Sequence, residues 1–331
     1  MKKLIKFMLV ILTFGLILQA FGTEPAFHAA VTDHVPTLAF AVVAKNELRE
    51  KELIKHFRHK GKWLETIPSR NKWVNNDVIK INVEGIDPEV LIDNNTYPIS
   101  KAQRVDDSIV IALHKYDTTN TVVTDDELYA LPYDKPGSVQ RQHREVLEEK
   151  TEEHALHSLA PMQNTAETPV LKTTGPDDGT GRKRLTYNDL ITLKKKLDAL
   201  KVPANGRVLV LSPNHVADLL LEDKNLNIHY QNHTEGAIAK KYAGFEIYES
   251  IYAPKYDPNT LQKIPFGAET EGSYASVVFY KNATARARGS VKVYMRDAKL
   301  DPEMRESTIG MRLYFVAVPL KKKGQAAIID G

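Results

Sequence analysis

The sequence predicts an α+β fold in which one long charged helix separates a strand-rich N-terminal half from a C-terminal half that is first α/β and then β. Three observations carry this. Between residues 62 and 133 the apolar pattern moves toward a period of two, in short runs broken by Gly, Pro, Asp and Asn. Residues 135–160 have Pro136 near their start and then run without a helix breaker to Pro161, which at ~1.5 Å per residue makes a rod of roughly 35 Å. From residue 185 a helix, a buried apolar strand and a short second helix precede strands that continue toward the C-terminus.

Composition bounds the function. The chain has 331 residues, 42% hydrophobic and 26% charged, as in a folded globular protein of one to three domains. A formal net charge of +3 is too small to be the footprint of a dedicated nucleic-acid binder. The absence of cysteine excludes disulfides, thiolate zinc sites and a cysteine nucleophile.

Residues 1–35 form an apolar N-terminal segment. Lys2, Lys3 and Lys6 precede an apolar run from Phe7 to Leu18, and Ala20 and Gly22 are small residues at the −3 and −1 positions of a possible cut. That layout fits a secretory signal peptide. It also fits an arm that packs within an assembly, a piece removed at maturation, or a start codon placed too early. The run falls short of the ~20 residues of a membrane-spanning helix.

Residues 36–61 read as an amphipathic helix. Leu38, Val42, Val43, Leu48, Leu53 and Ile54 keep helical spacing, and His59-Lys60-Gly61 supplies a basic last turn with a glycine cap. Over 62–134, Val78–Val83 alternates, Ser108–Leu113 is a denser strand, and Asn120–Thr124 and Leu128–Tyr133 follow. Gly85–Pro88, Asp93–Asn95 and Asp106-Asp107 mark turns, so the segment reads as an extended hairpin or meander. The helix of 135–161 has Pro136 near its start and Asp134 or Ser138 as caps. Its apolar stripe is thin (Val139, Val146, Leu147, Leu156, Leu159), and Arg144 and Glu148 form an i,i+4 pair on the charged remainder. Such a rod must find partners along its length, in this chain or in a neighbour. Residues 162–184 carry no apolar periodicity and end in Arg182-Lys183-Arg184, which predicts a flexible loop.

Beyond that loop, Thr186–Leu200 is a helix with Leu190, Leu193, Leu197 and Leu200 on one side and Thr186 or Asn188 near its cap. Arg207–Ser212 is a buried strand, Pro213–Leu221 a short helix and Gly244–Tyr248 another strand. Ala275–Tyr280, Val291–Tyr294 and the long run Ile309–Pro319 complete the β pattern.

Chemistry-bearing motifs are mostly missing. There is no GxSxG, GxxxxGK[ST], HExxH or GxGxxG pattern. Gly179-Thr-Gly181 follows no strand and reads as flexibility. His143, His154 and His157 share the long helix and could hold a metal, but sites of that kind usually draw on several elements. Asp177-Asp178 and Asp106-Asp107 read as turn residues rather than a catalytic dyad. The sequons at Asn94, Asn232 and Asn282 matter only in a eukaryotic secretory context. Arg182-Lys183-Arg184 and Lys321-Lys322-Lys323 could touch nucleic-acid phosphates without reading sequence. No cofactor, metal or catalytic residue is expected.

Several motifs, in order, carry a resemblance. Lys201–Pro213 (KVPANGRVLVLSP) followed by His215–Leu220 (HVADLL), then Ala237–Ser250, Ala275–Arg286 and Pro302–Arg312, resemble tailed-bacteriophage major capsid proteins of the HK97-like fold. Leu131–Lys135 entering the long helix, and Leu159–Pro161 leaving it, fit the same pattern. The resemblance covers roughly residues 60–331. It implies an N-terminal arm (1–35 and the helix 36–61), an extended loop with peripheral-domain strands (62–134), a spine helix (135–161), a flexible loop (162–184), an axial domain (185–265) and closing strands (266–331). It implies a structural, non-enzymatic subunit that forms the hexamers and pentamers of an icosahedral head around double-stranded DNA. Portal, scaffold, protease or decoration proteins are the further expected partners. Inter-subunit contacts are expected at Arg141, Arg144, Glu148, Arg182, Lys183 and Arg184. The signal-like segment is not a general feature of that family. An encapsulin-type cargo shell and an exported periplasmic or surface protein are the alternatives.

Overall fold

The computed structural model describes Arg58 and residues 61–75, 78–84, 90–101, 103–131, 133–223, 239–301 and 303–331. The segment 1–35, the expected helix 36–61 apart from Arg58 and Gly61, the turn Gly85–Pro88 and the Asn232 sequon lie outside the described residues. The chain divides into two units, one of Met1–Lys55 with Thr124–Lys135 and one of His56–Val123 with Pro136–Gly331.

In the first unit, α1 (Asp125–Ala130) replaces the strand expected over Leu128–Tyr133. The reason is local. Thr124-Asp-Asp-Glu127 is a capping box: the Thr124 N–H donates to Glu127 Oε2 at 3.2 Å, and three acids fill the first turn. Lys135 pairs with Glu127, and that hydrogen bond is the main cause holding the Glu127 carboxyl below its ordinary range.

The second unit is built on three sheets. Its strands are β1 (Val74–Asn75), β2 (Val78–Val83), β3 (Asp107–Ala112), β4 (His114–Asp117) and β5 (Thr121–Thr124), followed by helix α2 (Lys135–Leu159) and β6 (Val170–Lys172). Then come α3 (Tyr187–Ala199), β7 (Arg207–Leu211), α4 (Pro213–Glu222), β8 (Ala239–Tyr242), β9 (Phe245–Glu249), β10 (Lys255–Tyr256), β11 (Ser273–Tyr280), β12 (Thr284–Arg296), β13 (Glu306–Pro319) and β14 (Gln325–Ile329). The first sheet has the order β1-β2-β3, the second β6-β14-β11-β7-β9-β8 with β10 on β11, and the third β12-β13-β4 with β5 on β13.

The seven-stranded sheet is apolar on both faces, which is why β7 and β11 read as continuous apolar runs; β14, also buried throughout, is a strand the sequence reading did not include. Alternate residues sort to opposite cores. Val208, Val210, Val277, Phe279, Ala327 and Ile329 join Leu147, Leu156 and Leu159 of α2. Leu209, Leu211, Val278, Ala326 and Ile328 join Leu190, Leu193 and Leu197 of α3 and Leu219 of α4. Local signals set the helix ends: Thr186 accepts from the Asp189 N–H and caps α3, and Ser212 caps α4 with Pro213 in its first turn. Gly206, with φ +95°, closes the turn into β7, where a Cβ would meet Lys281 and Tyr280.

The segment 162–184, expected as a flexible loop, contains an edge strand and buried residues. Val170–Lys172 pairs in parallel with β14, Thr168, Val170 and Thr173 are buried, and Asp177 bridges Lys183. Apolar periodicity was absent because this edge is fixed by hydrogen bonds: Thr173 Oγ1 donates to the Lys183 carbonyl at 2.6 Å, and the Lys183 N–H donates to the Gly331 carbonyl at 3.0 Å.

Candidate functional site

The long helix is the structural axis of the second unit, and its buried face is not the stripe the sequence suggests. Val139, His143, Leu147, Thr151, Ala155 and Leu159 form an i,i+4 row, with Glu152 and Leu156 beside it. Val146, expected in the stripe, is exposed. Polar residues therefore stand at core positions, and each is satisfied. The Glu152 carboxylate accepts from the Gly61 N–H at 3.0 Å and from Trp63 Nε1–H at 2.8 Å. Trp63 is fully buried and meets Phe279 edge-on at 6.0 Å between ring centroids. Glu152 thereby fastens the chain's entry into the fold to the middle of α2. His143 bonds Thr118 Oγ1 at 2.7 Å and Thr121 Oγ1 at 2.9 Å, joining the helix to the β4–β5 connection.

The lower half of α2 carries an aromatic and imidazole joint. His154 Nδ1 lies 2.5 Å from the Tyr116 hydroxyl of β4, and its ring is 4.8 Å from His114 and 4.6 Å from Phe266 between centroids. Burial first, and then the neighbouring His114 and His157, push the His154 pKa down to about 4, so at neutral pH it is an uncharged acceptor for the tyrosine. Burial alone pushes Tyr116 up to about 12. His157 Nε2 donates to the Ile264 carbonyl at 2.9 Å. Lys263 Nζ donates to the His157 and Ala160 carbonyls at 2.7 and 2.8 Å, filling the acceptors that the helix end leaves open. Burial pushes the Lys263 amine down to about 8. The three helix histidines therefore do not converge on one point. Among the described residues no group of three His, Asp or Glu side chains is placed to hold a metal.

Arg182 is likewise not a free cation. Its guanidinium pairs with both oxygens of Asp218 at 2.7 and 2.8 Å, with Asp178 at 2.9 Å and with Asp330 at 3.1 Å. Asp330 also accepts from His215 Nε2 at 3.0 Å, and His215 Nδ1 accepts from Ser276 Oγ at 2.6 Å. Ser276 in turn accepts from the Ser212 N–H at 3.0 Å. The Ser276–His215–Asp330 order imitates a hydrolytic triad, but Ser276 and His215 are fully buried, so no substrate reaches the hydroxyl. The network locks α4, β11 and the C-terminal residues together.

The remaining expected contact residues behave differently from one another. Arg141 spends its charge within the helix, on Ser138 at 3.2 Å and Glu145 at 3.7 Å. Glu148 faces Arg288 at 3.8 Å, both lining a hollow of 590 Å³, and Arg144 is exposed. Lys183 is exposed, and Arg184 is half-buried with its backbone bonded to Pro176 and Gly175. Among the described residues, exposed apolar side chains gather in two places. Between β2 and β3, Val90, Ile92 and Val105 are 81%, 84% and 77% exposed, with Leu91, Tyr97 and Ile99 nearby in sequence. The outer part of the β12–β13 hairpin exposes Val293, Tyr294, Met295, Leu300 and Met304. Clustered exposure of this kind marks contact surfaces rather than ordinary solvent-facing chain.

No sequence-family model matches the chain, and no curated protein matches it by sequence. Solved structures do match. The capsid of cyanophage P-SCSP1u is similar with a TM-score of 0.60 at 15% identity, covering 85% of this chain and 91% of that one. The capsid of Ralstonia phage GP4 gives 0.60 at 8% identity, covering 85% and 94%. The mature capsid of bacteriophage PhiM1 gives 0.58 at 12% identity, covering 85% and 90%. This chain has the HK97-like phage capsid fold. Within a capsid fold the joints described above acquire an order: polar bonds hold α2 to the strands around it, while the exposed apolar residues sit on the two long hairpins. Sequence reading reached the hairpins as β patterns but missed Glu152, His215, Ser276 and Asp330. For His215, Ser276 and Asp330 the available signal is a single polar residue inside an apolar segment, whereas Glu152 stands among other charges and carries none.

Proposed function

We propose that this chain is the major capsid subunit of a tailed bacteriophage, a non-catalytic shell protein that forms hexamers and pentamers of an icosahedral head enclosing double-stranded DNA. The observation that carries the reading is a capsid fold matched over 85% of this chain and 91% of the P-SCSP1u capsid chain. The exposed apolar side chains of the two hairpins support it, because they need cover from another copy. In this reading residues 62–134 reach over a neighbour, 135–161 are the spine, 185–265 line the centre of each ring, and 266–331 return to the periphery. Portal, scaffold, maturation protease and decoration proteins are its further partners. Residues 1–35 serve as an arm or a piece removed at maturation.

Negative-stain electron microscopy of the expressed full chain tests the reading. Rings or closed shells are the expected result, and a soluble monomer at micromolar concentration overturns it. Particle contents separate it from an encapsulin-type shell, which holds a cargo protein instead of genome DNA. Mass spectrometry of purified particles locates the mature N-terminus: a start near Thr23 means removal, and an intact Met1 means retention.

A further inference from the structure

The two basic clusters of the sequence are treated oppositely by the fold. Arg182, in the first, is neutralised by Asp178, Asp218 and Asp330. In the second, Lys321, Lys322 and Lys323 occupy the tight turn from β13 to β14, which Gly324 closes at φ +101°. All three are exposed. Lys323 meets Glu167 at 3.7 Å with both side chains more than half exposed, a pairing worth little in water. Lys321 and Lys322 have no ion pair among the described residues. The turn separates two hollows. One, of 730 Å³, is lined by Lys321, Lys322 and the buried Lys263. The other, of 530 Å³, is lined by Lys321, Lys323 and the exposed Lys201. Glu167 and Glu84 are the acids that line them, so positive charge is in excess.

We propose that the β13–β14 turn, with Lys201 beside it, is a contact surface for the phosphate backbone of duplex DNA. The inference rests on the DNA-enclosing reading above and names the surface that would touch the genome. Lysine suits the task, as a compact charge on a flexible stem that attracts phosphate without demanding one geometry. Contacts of this kind read no sequence and release counterions, so their strength falls with salt. The lining favours duplex over single strand. Base stacking needs aromatic faces, and Tyr280 is the one aromatic residue lining either hollow.

The experiment uses the full chain and a fluorescent 30-base-pair duplex, titrated by anisotropy across a series of salt concentrations. Lys321→Gln/Lys322→Gln/Lys323→Gln is expected to flatten the log K against log salt slope by about 2.7, at roughly 0.9 per phosphate contact. A control, Lys72→Gln/Lys172→Gln/Lys195→Gln, makes the same change in net charge at exposed positions away from the turn and from both hairpins and should keep the wild-type slope. An unchanged slope in the turn variant overturns the proposal, as does an equal loss in the control. Electron microscopy of the turn variant completes the test. Intact particles with a flattened slope support a DNA contact; lost assembly with an unchanged slope makes the turn a contact between copies and overturns it. Wild-type protein that forms no shell but loses slope on substitution would sink the shell reading and leave the phosphate contact standing.

Discussion

Glu152→Ala is the sharpest probe of the fold's internal joints. Glu152 is 4% exposed, and its carboxylate is the acceptor for the Gly61 N–H and for Trp63 Nε1–H. Alanine strands both donors in a site that water does not reach freely. Each unsatisfied buried donor costs about 1–3 kcal/mol, so the variant should lose about 3–5 kcal/mol once partial relaxation is allowed. Glu152→Gln keeps the shape and one acceptor oxygen for the tryptophan, and should lose about 1–2 kcal/mol. Urea unfolding of unassembled protein, followed by tryptophan fluorescence, reads both. With a slope of about 3 kcal/mol/M the alanine midpoint should fall by more than ~1 M. An alanine midpoint within ~0.3 M of wild type would refute the idea that this carboxylate ties the chain's entry to α2. Equal loss in both variants would shift the cause from lost acceptors to lost charge.

Three further outcomes are expected. Arg182→Met leaves Asp218 and Asp330 buried without their cation and should cost about 3–5 kcal/mol in the same assay, and a loss below ~1 kcal/mol would mean the network is dispensable. The His154 pKa is depressed to about 4 by burial, so the unfolded chain takes up its proton first; stability from this group is complete above about pH 6.5 and is lost as pH falls toward 4. After discounting for its partial exposure this is worth about 2 kcal/mol, and His154→Asn should flatten the acid limb of a midpoint-against-pH curve; an unchanged limb counts against the joint. Val90→Asp/Ile92→Asp alters side chains already in solvent, so thermal unfolding should hold while ring or shell formation is lost, and normal shells from this variant would remove the hairpin from the contact surface.

The fold was legible wherever burial is one-sided or complete. β7 and β11 are apolar on both faces and announce themselves as runs, α3 shows its leucines at helical spacing because its other face is wet, and the short buried strand β14 was not read from the sequence. Legibility failed where hydrogen bonds rather than apolar area fix the chain. The edge strand Val170–Lys172 and the loop that follows have no pattern of their own and are held by Thr173, Lys183 and Gly331. The helix α1 was hidden by aromatic and β-branched neighbours, although the Thr124–Glu127 capping box was present to be read. In α2, a periodicity count discards His143, Thr151 and Glu152 as surface residues, because only tertiary partners reveal that they are satisfied at core positions.

That inversion bears on how such a subunit would assemble. Polar groups that could have served as surface contacts are spent inside the fold, while large apolar side chains stand exposed on the two hairpins. Fully burying one such side chain yields about 1.5–3 kcal/mol, so the tip between β2 and β3, with Val90, Leu91, Ile92, Tyr97, Ile99 and Val105, offers on the order of 10 kcal/mol before losses. Associating two proteins costs about 4–15 kcal/mol in lost freedom. A single contact between copies is therefore marginal, and the balance turns favourable only when each subunit makes several at once, as closed symmetric rings allow. In the proposed shell, weak individual contacts would also let a misplaced subunit leave before closure. A substitution that strengthened the hairpin contact, such as a larger apolar residue at Val105, should speed association yet raise the fraction of aberrant particles seen by microscopy, whereas faster and equally regular assembly would show that the contact was not held near this balance.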